Sequence, residues 1–328
     1  MAILVTGGAG YIGSHTVAEL LDRGEEVVVI DNLLTGHREA LLGGKLYEGD
    51  LRDKELLSKL FAENEIEAVI HFAASSLVGE SMKDPVKYYD NNVYGTQCLL
   101  EAMQKAGVNK IVFSSTAATY GEPEKVPIEE TDRTEPANVY GETKLTMERM
   151  MAWFDKVLGI KYVALRYFNA AGAHASGKIG EDHRPESHLV PLVLQAALKQ
   201  RENIAVFGDD YPTEDGTCVR DYIHVSDLAD AHVRAVTYLR GGNSSNVFNL
   251  GNGLGFSVKQ VIETAKKVTG LDIPVVIQER RAGDPAVLVA SSDKARNILG
   301  WNPQHADLEN IIQSAWNWHS AHPQGYGE

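Results

Sequence analysis

Val5–Thr16, "VTGGAGYIGSHT", is the stretch that decides the fold. Its glycines Gly7, Gly10 and Gly13 follow an apolar run, Ala2–Thr6, and lead into a helically spaced segment, Ile12–Arg23. Glycine lets the backbone turn sharply and approach a pyrophosphate, which then rests on the partial positive charge of the helix N-terminus. Alone, a glycine triplet is no more than a tight strand-to-helix turn. The further test is an acidic residue at the end of the second strand, and Asp31 in "VVVIDNL" meets it. A carboxylate there accepts both ribose hydroxyls of an adenosine and repels a 2′-phosphate, so NAD is favoured over NADP. Arg38 keeps a 2′-phosphate open as the alternative.

Outward from this turn, Glu26–Asp31, Ala68–Phe72, Lys110–Ser115 and Lys161–Asn169 are continuous apolar runs, with a weaker one at Lys45–Asp50. Strands buried on both faces of a parallel sheet have this pattern. Helical spacing over Lys54–Glu63, Tyr88–Lys105 and Tyr140–Lys156 alternates with them. The expectation is an α/β protein built on a doubly wound parallel (Rossmann) sheet. After Asn169 the pattern changes. Ala170–Ser187 is too long for an ordinary connection and reads as a substrate loop. Helices are predicted over Leu189–Gln200, Ser226–Leu239, Ser257–Thr269 and Leu308–His319, with short strands such as Val247–Leu250 and Val275–Gln278. An NAD-binding domain over residues 1–170, to which some later segments return, and a smaller α/β substrate lobe over 171–328 are therefore expected.

The 328 residues carry 31 basic and 45 acidic side chains, a formal net charge of -14. That balance argues against non-specific nucleic-acid or anionic-membrane binding, and an anionic small ligand would need arginines gathered locally. Cys98 and Cys218 stand far apart in no CxxC pair, and neither a signal peptide nor a membrane-length apolar run is present. A cytoplasmic protein is expected.

"NVYGETKLTME" places Tyr140 and Lys144 four residues apart on a predicted helix, where Cβ atoms stack about 5–6 Å apart. A free phenol has a pKa of about 10. A neighbouring ammonium and an oxidised nicotinamide both favour the phenolate, so Tyr140 is the expected base for a substrate hydroxyl whose carbon loses hydride. Ser114–Gly121, "SSTAATYG", puts three hydroxyls at a strand end and two alanines, Ala117 and Ala118, where an acid could have stood.

In this order of motifs the chain, from Ile3 to about Trp301, resembles the extended short-chain dehydrogenase/reductase family. "YYDNNVYGT", "LRYFNAAGAH" and "FGDDYPTEDGTCVRDYIHVSDLADAH" resemble in particular those members that act on UDP-hexoses. The resemblance implies transient oxidation at C4 with bound NAD and return of the hydride to the other face. UDP-glucose and UDP-galactose would then interconvert, UDP-N-acetylhexosamines being possible further substrates. It makes Thr116, Tyr140 and Lys144 catalytic, Thr116 bonding the 4-oxygen. Related dehydratases carry an acidic pair at the places of Ala117 and Ala118, so elimination is not expected. A UDP-uronate epimerase or a net dehydrogenase on the same scaffold is the alternative, and a non-catalytic NAD-binding protein a remoter one.

The same resemblance assigns Gly7, Gly10, Tyr11, Ile12, Gly13, Asp31, Asn32, Asp50, Leu51, Phe72, Ala73, Ala74, Asn91, Ser114, Tyr167 and Phe168 to the cofactor. Ser75 and Ser76 stand where some relatives bind the cofactor ribose with a lysine. It assigns Asn169, His188, Leu189, Phe207, Arg220, Arg281, Asp284 and Leu288 to the substrate. Arg220 has a surface pair with Asp221 as its alternative, Arg280 competes with Arg281, and Val287 with Leu288. Asp182–His188 matches no metal spacing, so no metal is expected, and His71 reads as a core histidine. A homodimer through the Tyr88–Lys105 and Tyr140–Lys156 helices is implied.

Overall fold

A strand reads as apolar throughout when helices cover both of its faces, and β1 (Ala2–Thr6) is buried at every position. The computed structural model describes residues 1–281 and 284–327. Beside β1 run β2 (Val27–Asp31), β3 (Lys45–Glu48), β4 (Ile66–His71), β5 (Lys110–Ser114) and β6 (Lys161–Tyr167), all parallel. The order is Asn246–Leu250, β6, β5, β4, β1, β2, β3. The chain winds outward from β1 through β2 to β3, then returns to the other side of β1 with β4. That reversal opens a crevice beyond the C-terminal ends of β1 and β4, where ligands settle in doubly wound sheets.

Alternate residues of β1 enter different layers. Ile3 and Val5 pack with Val17, Leu20, Leu228 and Val236 on one face. Leu4 packs with Leu57, Leu99, Met103 and Met147 on the other. Asp53 caps the helix Lys54–Glu63 by accepting from the amides of Glu55 and Leu56. Asn138 caps the helix Val139–Leu158 by accepting from Gly141. Among the described residues no helix is long and apolar enough to cross a membrane.

Three elements differ from the sequence reading. Tyr88–Lys105, expected as one helix, is α-helical over Pro85–Tyr88, π-helical over Tyr89–Tyr94 and α-helical again over Gly95–Ala106. The widened turn brings Asn92 onto Ser75, whose amide donates to its Oδ1 at 2.7 Å, and onto the Thr143 hydroxyl at 3.0 Å. Lys161–Asn169 breaks at Phe168, because Asn169–Ala171 leaves the main sheet to pair with Tyr222–His224. The short run at Val247–Leu250 turns out to be part of a main-sheet strand, pairing with β6 from Asn246 opposite Val163. So short a run cannot announce its partner. Beyond the main sheet, Ile204–Phe207 pairs with Val275–Gln278, and Val219–Arg220 lies between Phe256–Ser257 and Val287–Leu288.

The glycine turn is packed without slack. Gly7 has φ +69°, and a Cβ there would sit 2.7 Å from the Ala73 nitrogen. At Gly13 a Cβ would lie 2.1 Å from the Gly7 carbonyl oxygen. Gly13→Ala is therefore expected to cost about 1–3 kcal/mol or more, as overpacking does. Gly79→Ala, with nothing within 4 Å of the added carbon, should be neutral or slightly stabilising. Chemical denaturation of the two variants checks this, and equal stabilities would mean that the turn relaxes freely.

Candidate active site

β5 ends at Ser114, and the chain continues through Ser115 to Thr116, which opens a single 3-10 turn, Ala117–Thr119, by accepting from the Ala118 amide at 3.1 Å. The helix Val139–Leu158 starts beside this turn, its Tyr140 amide donating to the Ser81 hydroxyl at 3.1 Å. Tyr140, Lys144 and Glu148 occupy successive turns of one helix face. Lys144 is 3% exposed and donates to the Ser114 carbonyl at 2.9 Å, with its Nζ 5.9 Å from the Tyr140 ring centroid. Burial pulls the Lys144 ammonium down to about 7, the negative charge of Glu148 working the other way. Burial likewise pushes the Tyr140 phenol up to about 12, against a hydrogen bond with Thr116 that favours ionisation. The spacing alone suggested that Lys144 would lower the phenol. In the folded chain its hydrogen bond goes to Ser114, and burial dominates.

Beneath these groups lies a pair that sequence reading did not single out. The Glu148 carboxylate accepts from the Ser115 hydroxyl at 2.5 Å and from Arg166 Nε and Nη2 at 2.9 and 2.6 Å. Arg166 lies 4.8 Å from the Tyr120 ring centroid, and the Tyr120 hydroxyl donates to Asn249 at 2.7 Å. A signal existed. Arg166 stands inside an otherwise apolar strand, and a charge buried there requires a partner.

The cofactor candidates lie at the neighbouring strand ends. After β1, Tyr11 and Ile12 open the helix Tyr11–Asp22, and the Tyr11 hydroxyl donates to the Gly172 carbonyl at 2.6 Å. At the end of β2 the buried Asp31 accepts from the amides of Ala9 and Leu33, each at 2.9 Å, while burial raises its carboxyl above the usual range. Asn32 donates to Asp50 at 3.3 Å, and Arg52 holds Asp50 down at about 2. Leu51 is buried. Arg38, the alternative for a 2′-phosphate, is ion-paired with Glu48. After β4 come Phe72, Ala73 and Ala74, with the Ala73 amide donating to the Thr6 carbonyl at 3.2 Å. Asn91 donates to the Ser75 hydroxyl at 3.0 Å. Tyr167, at the end of β6, shares a hydrogen bond of 2.5 Å with the Ser114 hydroxyl. His71 sits between the hydroxyls of Thr6 and Thr96 at 2.7 and 2.9 Å, a satisfied core histidine.

The sequence model of the NAD dependent epimerase/dehydratase family matches residues 3–251. The chain belongs to this family. A curated UDP-glucose 4-epimerase of Halalkalibacterium halodurans is 61% identical over 326 residues, covering 99% of this chain and 98% of that one. A solved UDP-glucose 4-epimerase superposes with a TM-score of 0.99 at 56% identity, covering 100% of both chains. The UDP-glucose 4-epimerase of Bifidobacterium longum, solved in complex with NAD+ and UDP, has a TM-score of 0.93 at 41% identity and covers 99% of this chain and 100% of its own.

In this epimerase/dehydratase chain the second half gathers the substrate candidates into separate groups. Asn169 donates to the Asp221 carbonyl at 3.1 Å. Arg220 is ion-paired with Asp284 and not with Asp221. The Asp221 carboxylate is buried and accepts from the amides of Asn252, Ala290 and Gly253, its pKa raised to about 6 by burial. Arg281 lies 3.8 Å from the Phe207 ring centroid, whereas Arg280 donates to Asp210 at 2.6 Å. Leu288 pairs in register with Arg220 and packs against the cluster of Ala117, Tyr120 and Ile128 that Phe168 also covers. Val287 pairs with Val219. His188 precedes the helix Leu189–Ala197 and meets neither arginine. Its Nδ1 lies 2.5 Å from the Glu181 carboxylate. Glu181, His183, Glu186 and His188 bring one donor atom each to within 4.8 Å of one another.

Glu148→Gln would leave Arg166 buried without a full counter-charge, and an expected cost of about 3–5 kcal/mol follows from breaking such a pair on one side. Replacing both partners, Glu148→Leu with Arg166→Met, should recover much of that loss. Urea denaturation reads both, and a single-variant loss under about 0.5 kcal/mol would place the pair with ordinary surface bridges.

Proposed function

We propose that this chain interconverts UDP-glucose and UDP-galactose by oxidising C4 of the hexose and returning the hydride to the opposite face. The carrying observation is the meeting of Thr116, Tyr140 and Lys144 at one strand end, beside the glycine turn, with Ala117 and Ala118 following Thr116. The residues fit NAD. The glycine turn has no room for a Cβ at Gly7 or Gly13, and Asp31 closes β2 with a buried carboxylate suited to a ribose. Bound NAD supplies the hydride acceptor at C4 and a positive charge that favours the Tyr140 phenolate.

Thr116 holds the 4-oxygen, and Tyr140 takes its proton as the carbonyl forms. Having taken that proton, the same phenol returns it in the reduction step, so one group serves both directions. Lys144 orients the cofactor side from its anchor on Ser114. Neither Ala117 nor Ala118 can remove a C5 proton or protonate a leaving 6-hydroxyl. Glu148, on the same helix face as Tyr140 and Lys144, is held by Ser115 and Arg166. The 4-ketose therefore has reduction as its open course, and turning over before reduction gives the epimer. Arg220 and Arg281 grip the diphosphate, Asp284 the uridine ribose, and Asn169, Leu189 and Phe207 supply further substrate contacts.

The enzyme acts in the cytoplasm as a homodimer. The segments of the proposed interface leave Tyr89 and Tyr94 exposed on one and Trp153 and Val157 on the other. Trp153 at 62% and Val157 at 70% exposure are unusual for a helix face without a partner.

With UDP-galactose the purified protein should form UDP-glucose without sustained release of NADH. Release in step with consumption would make it a dehydrogenase. Tyr140→Phe should retain NAD and lose turnover by a factor on the order of 10² or more, and near-normal turnover would remove Tyr140 from the mechanism. Leu288, smaller than tyrosine and packed near Ala117, leaves room beside the sugar. UDP-N-acetylglucosamine should then also react, and Leu288→Tyr should suppress that reaction while largely sparing UDP-galactose. A parent enzyme that turns over UDP-galactose but not the N-acetylated sugar would show the pocket to be closed by other residues.

A further inference from the structure

Between the strand Asn169–Ala171 and the helix Leu189–Ala197, the loop folds so that two imidazoles and two carboxylates converge. His183 Nδ1 lies 3.3 Å from Glu181 Oε1 and 3.5 Å from Glu186 Oε2, and His188 Nδ1 lies 2.5 Å from Glu181 Oε1. A tetrahedral site with bonds of about 2.0–2.1 Å has ligand-to-ligand edges of about 3.3–3.4 Å. Two of the three distances already have that length, and the third needs to open by about 0.8 Å.

Charge points the same way. The Glu181 and Glu186 side chains are only 3% and 5% exposed, and side by side they need compensation. Within the chain itself the partners are the two imidazoles, which compensate only when protonated, and among the described residues no lysine or arginine pairs with either carboxylate. Arg184, in the same loop, donates instead to the carbonyls of Gln324 and Gly327 and pairs with Asp182. Glu186 is also pre-set, since its Oε1 accepts from the amides of Ser187 and His188 at 2.7 and 2.9 Å and leaves Oε2 facing His183. Calcium and magnesium ask for six or more oxygens, whereas two imidazoles with two carboxylates suit zinc and its first-row neighbours.

We propose that Glu181, His183, Glu186 and His188 bind one divalent cation of the zinc class. The ion is structural. The His183 ring meets the Tyr11 ring edge-on at 6.1 Å, and Tyr11 is bonded to Gly172. The bound cation thus clamps the loop and the start of the helix Leu189–Ala197 against the first residues of the glycine-turn helix. Sequence spacing set a metal aside because no known ligand motif has this pattern. The convergence comes from the loop's fold.

The experiment uses the whole purified protein, stripped with chelator, dialysed and titrated separately with Zn2+ and with Co2+. One equivalent of each should bind, Co2+ should give the intense visible bands of a tetrahedral ion, and Zn2+ should raise the melting temperature. His183→Ala and Glu181→Gln should each weaken uptake by a factor of about 10–100 or more. Circular dichroism and a thermal melt establish that the variants are folded. No uptake by the parent protein, a weak octahedral Co2+ spectrum, or undiminished binding in a folded variant would each overturn the proposal. The first two readings use the unaltered chain and stand even if both variants fail to fold.

Discussion

The ion pair between Glu148 and Arg166 joins the helix that carries Tyr140 and Lys144 to the strand end that carries Ser114 and Thr116. Glu148 receives three hydrogen bonds from two strands, Ser115 just past β5 and Arg166 within β6. A helix rises about 1.5 Å per residue, so Tyr140 and Glu148 are separated by about 12 Å along its axis. Fixing the Glu148 end, and the middle through the Lys144 bond to Ser114, leaves Tyr140 one position relative to Thr116. Removed from water, such a pair adds little net stability and much specificity of position. The groups proposed to react inherit their register from it.

Burial is the second constraint, and it acts in one sense on four groups near the cleft. It lowers Lys144, and it raises Tyr140, Asp31 and Asp221, each time disfavouring the charged form. Where a carboxylate must remain ionised, backbone amides or a guanidinium are supplied, as Ala9 and Leu33 do for Asp31 and Arg52 does for Asp50. Tyr140 has only Thr116 in that role. A site built in this way responds strongly to any charge a ligand brings, because little water competes with it.

The proposed substrate side poses a different problem. In a chain with a net charge of -14, the arginines proposed for the diphosphate lie among acids that compete for them. Arg281 rests over the Phe207 ring and Arg280 is committed to Asp210. Arg220 is held by Asp284, while Asp221, its neighbour in sequence, is taken up by backbone amides. Adjacent residues on a strand face opposite sides, which is why the pairing that sequence proximity suggests does not form.

The sequence by itself determined the parallel sheet, the glycine turn, the acid closing β2 and the Tyr140–Lys144 face, because each depends on local conformation or on a period of two or 3.6 residues. Most element boundaries fell within a few residues for the same reason. Resemblance added the substrate class. Only the tertiary structure decided that Asn246–Leu250 completes the main sheet, that the Tyr88–Lys105 segment widens into a π-helical turn, and that Arg166 finds Glu148. It also decided that Lys144 turns to Ser114 and that four donors of the 181–188 loop converge. These are partner choices between groups that the sequence leaves unpaired, and burial and geometry settle them only once the chain has closed on itself.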